Sequence, residues 1–177
     1  VNHTQVSYTL SEAIASGTIT WTRTSGTADG TVHTQSLTGS ELATGAHSNI
    51  TLTNNPTLVD GAIYTVAFDA TDAAGNVATQ VSSTSVTYDI TAPTNENTVF
   101  ASANTVQGSL DITIISSGDA TNSVWFAPFG TTTFIEGSTM TMASGTATSI
   151  LAPTTEGTYY LYIVDAAGNI SQKYSGD

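Results

Sequence analysis

Asp72-Ala73-Ala74-Gly75-Asn76 and Asp165-Ala166-Ala167-Gly168-Asn169 are the same pentapeptide written twice, 93 residues apart. Each copy follows an apolar run containing tyrosine, Ile63-Tyr64-Thr65-Val66-Ala67-Phe68 in one case and Tyr159-Tyr160-Leu161-Tyr162-Ile163-Val164 in the other. Such runs read as strands. Asp, Gly and Asn supply the side-chain-to-backbone hydrogen bonds and the positive φ of a tight turn, so the pentapeptide is the loop leaving a buried strand. A period of 93 residues suits a β-sandwich domain of about 100 residues and is far too long for a solenoid repeat of about 20–50. The chain therefore reads as two tandem β-domains, residues 1–93 and 94–177.

Composition agrees with that division. A hydrophobic fraction of 39% over 177 residues is enough for two small cores. β-Branched alternation punctuated by Gly and Asn, without long helical patterns, predicts an all-β chain. Fourteen acidic residues face only Arg23 and Lys173, and a formal charge of −12 repels nucleic acid and anionic lipid. With no cysteine, an inter-sheet disulfide is excluded and side-chain packing must hold each domain. No stretch reaches the 18 or more apolar residues of a membrane-spanning helix, and Val1-Asn2-His3 lacks the pattern of a signal peptide. No membrane insertion is expected in this segment, and any export signal would lie outside it.

Along the first domain, Val6, Tyr8 and Leu10 alternate with polar residues and predict a strand. Glu12 to Gly17 reads as the following turn, and Ile19 and Trp21 open a second strand with Trp21 in the core. Asp29-Gly30 is a hairpin dipeptide before a strand over 31–37. Ser40-Glu41-Leu42 reads as a short helical turn, and Ile50 with Leu52 as the start of another strand. Val77 to Tyr88 is the last strand, and Pro93 closes the domain. In the second domain, strands are expected over 98–107, at Leu110, Ile112 and Ile114, at Val124-Trp125-Phe126, over 134–142 and 146–151, and from Ile170. Either Trp125 or the pair Val124 and Phe126 faces the core, and the pattern leaves both open. An outward Trp125 beside Phe129 would form an aromatic platform for a sugar ring.

Tyr8-Thr9-Leu10-Ser11-Glu12, the first pentapeptide and Tyr88-Asp89-Ile90-Thr91-Ala92-Pro93 resemble the bacterial immunoglobulin-like repeats of very large secreted or surface proteins, including adhesins. The resemblance covers residues 1–93. Over 94–177 it rests on the second pentapeptide and its preceding strand. It implies two immunoglobulin-like sandwiches acting as an extracellular spacer or adhesion module, often with calcium stiffening the junctions between repeats. Trp21 then matches the tryptophan that packs between the sheets, and Leu58 to Tyr64 the corner where a tyrosine hydroxyl bonds to the backbone. Aligning the two domains leaves the first without its first strand, so either a longer tandem array or a strand donated by a neighbour is expected.

Catalytic patterns are missing: His3, His33 and His47 have no ligand spacing, and there is no nucleophile elbow or phosphate loop. No enzymatic activity is expected. The carboxylates fit hard oxygen ligation better, since calcium takes 6–8 oxygens from Asp, Asn and turn carbonyls. In an immunoglobulin-like topology Asp89 of the linker, Asp165, Asn169 and Asp119 would meet at one end of the second domain, and Glu12, Asp72 and Asn76 at the matching end of the first. The same Asp and Asn residues also suffice as turn caps. The reading is a non-catalytic structural or adhesive segment at a bacterial cell surface. Its expected partners are neighbouring repeats or identical subunits, and a glycan or protein receptor. The alternatives are a carbohydrate-binding module with Trp125 and Phe129 as platform, and a filament subunit joined by strand donation.

Overall fold

A computed structural model describes residues 1–100 and 106–175. The chain is almost entirely β and divides into two compact units, Val1–Ile90 and Thr91–Asp177, each with its own hydrophobic cluster. No helix among the described residues is long and apolar enough to cross a membrane.

In the first unit β1 (Val6–Leu10) pairs antiparallel with β4 (Gly45–Ile50). A second sheet has the order β3 (His33–Ser36), β2 (Ile14–Gly26), β5 (Ala62–Asp72), β6 (Val81–Thr87), all antiparallel. Ile19, Trp21, Ala62 and Tyr64 from the four-stranded sheet are buried with Leu37, Leu52 and Leu58, and Val6, Tyr8 and Ile50 of the smaller sheet pack against them. Trp21 is 3% exposed and lies edge-on to Tyr64, in the core as its spacing from Ile19 requires. Tyr64 is fully buried, and its hydroxyl accepts the backbone N–H of Val59.

Several boundaries move. The turn before β2 is shorter than expected, because Ile14 already pairs with Asp72 across a bulge. The strand read from Ile50 onward instead ends there: Gly45–Ile50 pairs with β1, and Leu52 is buried beyond its end. The last strand begins only at Val81, with Val77 held by an isolated bridge to Thr71. The helical turn at Ser40-Glu41-Leu42 is a 3-10 turn, Gly39–Leu42. Buried Glu41 holds it, accepting the backbone N–H groups of Thr38 at 2.7 Å and Thr53 at 2.6 Å.

In the second unit β7 (Asp111–Thr113) pairs with β10 (Ser149–Leu151), and β8 (Ser123–Ala127) lies between β9 (Thr141–Ser144) and β11 (Tyr160–Val164). Val99, Ile114, Val124, Phe126, Ile150, Leu161 and Ile163 form its core. The strand expected from Thr98 begins instead inside a helical turn, α1 (Glu96–Val99), which sinks Val99 and packs Phe100 edge-on against Phe126. Of the rest of that expectation, 101–105 lies outside the described residues and 106–107 is not strand. Leu110 is half-exposed, and of the strand expected over 134–142 only its last two residues are strand, in β9, while 134–140 forms a loop bridged at Gly137 and Met140. Ile170 makes only an isolated bridge to Val164, although Ser171 and Tyr174 donate their N–H groups to Ile163 and Leu161. The corner read at Glu156 to Tyr159 has its own tyrosine bond, the Tyr159 hydroxyl donating to the Thr155 carbonyl at 2.7 Å.

Candidate functional site

The two pentapeptides form the same turn. Asp72 Oδ1 accepts the N–H groups of Ala74 and Asn76 and its Oδ2 accepts the Asn76 amide at 2.7 Å. Asp165 Oδ1 accepts those of Ala167 and Asn169, and its Oδ2 the Asn169 amide at 2.9 Å. Gly75 and Gly168 sit at φ of 89° and 90°, where a side chain would be strained. The hydrogen bonds from Asn76 lead in holding the Asp72 carboxyl below its ordinary range. These carboxylates therefore cap the turns that end β5 and β11.

Of the residues considered as oxygen ligands, Asp165 and Asn169 are brought together, and Asn169 is buried. Asp119 lies in a different loop of the same unit, its carboxylate accepting both the hydroxyl and the N–H of Thr121, which lower its pKa in that order. Asp89 belongs to the first unit, where its N–H donates to the Val1 carbonyl at 2.9 Å. Glu12, Asp72 and Asn76 share the lining of one cleft in that unit. Among the described residues no three His, Asp or Glu side chains converge closely enough to hold a metal ion.

Phe100, Phe126, Tyr159 and Tyr174 belong to the core side of the second unit, and Trp125, Phe134 and Tyr162 are gathered on the opposite sheet face. Strand β8 alternates, so with Val124 fully buried and Phe126 4% exposed beneath it, Trp125 projects to the other face. This answers the question left open by three consecutive apolar residues. Trp125 stands opposite Tyr162 on one side and Met142 on the other. Phe134, from the loop before β9, lies 5.4 Å from the Trp125 ring and 5.6 Å from that of Tyr162. Tyr162 is thereby buried and Trp125 is half-covered, its Nε1–H donating to Ser123 Oγ at 2.8 Å. Phe129 is 72% exposed and meets Tyr160 edge-on at 5.7 Å, with Lys173 Nζ 4.9 Å from the Tyr160 ring centre. The face thus has a covered half around Trp125 and an open half around Phe129. Sequence reasoning misses Phe134, Tyr160 and Tyr162, although the i, i+2 spacing of the two tyrosines is the signal that places them on one face.

No protein-family model matches the chain, and no curated protein is significantly similar to it.

Proposed function

We propose that the chain is a non-catalytic structural and adhesive segment of a bacterial surface protein, built from two consecutive immunoglobulin-like domains. The observation that carries this reading is the repeated architecture. Two all-β units each present a tyrosine-bearing strand ended by the same Asp-capped turn, and each has a tyrosine hydroxyl bonded to the backbone at the corner before that strand. Repetition of a whole domain with its turn chemistry intact adds length and surface without assembling a reactive centre. An antibody raised against the folded chain should label intact cells of the producing bacterium. Labelling only after permeabilisation would overturn the surface assignment.

One observation favours a carbohydrate-binding role within the same frame. Trp125 and Phe129 both lie off the core, and although Phe134 covers part of Trp125, Phe129 presents most of its ring to solvent beside Tyr160, as a sugar platform requires. A glycan-array signal lost on Phe129→Ala would support that role, and a signal unaffected by it would remove Phe129 from the binding surface.

A further inference from the structure

The first unit carries a long apolar cleft of about 670 Å³ between the free edge of β1 and the free edge of β6. Among the described residues strand β1 has β4 on one side only, and β6 is the outermost strand of the four-stranded sheet. Val6 and Leu10 from β1, Val66 and Phe68 from β5, and Val81 and Val86 from β6 line the cleft. Val66 and Phe68 are only partly buried although β5 is an interior strand, so their cover is incomplete. Trp21 also lines the cleft, and its buried indole N–H has no hydrogen-bond partner among the described residues.

One end of this cleft already holds the beginning of a ladder. The Val1 nitrogen donates to the Thr87 carbonyl at 2.7 Å, and the Asp89 N–H donates to the Val1 carbonyl at 2.9 Å. A residue that bonds on both sides of one opposite residue, here Tyr88, is in the parallel pattern. The direction follows. Polypeptide joined to the amino group of Val1 and continuing that pattern runs alongside β6, parallel to it. Its next rung falls on the Thr87 N–H, two residues before Val1. Beyond that rung the bulge in β6, where Ser85 takes φ of 58°, interrupts backbone pairing, so side-chain burial must hold the remainder.

We propose that the cleft is the seat of one extended strand joined in the same chain to Val1, parallel to β6, with apolar side chains at alternate positions. Alternation is required because one face of the strand meets Val66, Phe68 and Val86 while the other meets water. Seven residues, about 23 Å at the usual rise, match the length of β6.

The test compares the 177-residue chain with two extended forms, one bearing a seven-residue alternating Thr/Val extension before Val1 and one a Gly/Ser extension of equal length. Amide hydrogen exchange and thermal melting are the readouts. The alternating extension should slow exchange at Thr87 at least about tenfold and raise the melting temperature by several degrees. The Gly/Ser extension should do neither. Ser83→Lys, at an exposed position lining the cleft, should remove the gain while leaving the unextended chain folded. Equal effects from both extensions, or unchanged exchange at Thr87, would overturn the proposal. So would a concentration-dependent dimer of the unextended chain with Thr87 already protected, since a second copy would then be the occupant.

Discussion

The hydroxyl of Tyr64 donates to Asp29 Oδ2 across 2.7 Å while accepting the Val59 N–H at 3.0 Å. One phenol thus joins β5, the corner before it and the hairpin before β3. The same carboxylate receives the Thr31 N–H at 2.9 Å and lies 2.8 Å from His33 Nε2. The Tyr64 hydrogen bond leads, with Thr31 and His33 following, in holding the Asp29 carboxyl down at about 2.

Tyr64→Phe should therefore cost about 1–3 kcal/mol, the penalty of leaving the Val59 N–H and the Asp29 carboxylate without their partner. Chemical denaturation at neutral pH checks it. Because the folded pKa of Asp29 lies below the ordinary carboxylate value, its contribution is fully present above that value and fades as pH falls toward 2. In Asp29→Asn this part of the acid sensitivity should be absent.

Trp21→Ala and Trp125→Ala should separate cleanly. Trp21 is 3% exposed in the first core, and its truncation should cost about 3–5 kcal/mol. Trp125 lies outside the second core and packs on Phe134, so its loss should cost about 1–2 kcal/mol, at the lower end for a large side chain that remains half-covered. Equal losses in paired melts would contradict the outward placement of Trp125.

Glu41→Gln should destabilise the first unit by about 1–3 kcal/mol, because one carboxylate oxygen that accepts a backbone N–H becomes a donor facing a donor. Burial pushes the Glu41 pKa up, but the N–H groups of Thr53 and Thr38 outweigh it and leave the group below its ordinary value. The stabilisation is thus present above about pH 4.3 and lost as pH falls through the folded pKa. A melting temperature measured against pH for wild type and Glu41→Gln should show the two curves converging in acid.

Gly75→Ala and Gly168→Ala should each cost about 1–2 kcal/mol, since both glycines occupy the left-handed region in the same turn. A Cβ added at Gly75 would meet no neighbouring atom, so backbone strain is the expected source of the cost there. Unequal costs by a factor of three or more, read by separate melts of the two units, would show that the repeated turn differs in its energetics.

Strands with one clear apolar parity are legible in the amino-acid order itself. Val6, Tyr8 and Leu10 in β1 and Ile19 with Trp21 in β2 alternate because one face is buried, and that burial leaves its period in the sequence. Tyr64 is legible from its corner. Strand β4 is not, for the opposite reason: Gly45, His47, Ser48 and Asn49 carry no apolar stripe, and pairing with β1 overrides their composition. At Val124-Trp125-Phe126 both faces are apolar, since core lies on one side and the Phe134 loop on the other. A one-residue parity therefore has no signal to resolve it. The α1 turn hides inside a β-prone stretch, where burial of Val99 outweighs local preference.

The hydrogen bonds between Val1 and the end of β6 set how the first unit responds to pulling. When tension is applied at Val1 and at the chain beyond Asp89, the parallel geometry places the load along the strands, and these two bonds share it. A strand joined to Val1 and parallel to β6 would be gripped at its far end, so the same tension would slide it along β6 and load its backbone bonds and its seated side chains together. Loosely held and mechanically resistant forms of this unit would then differ by one strand.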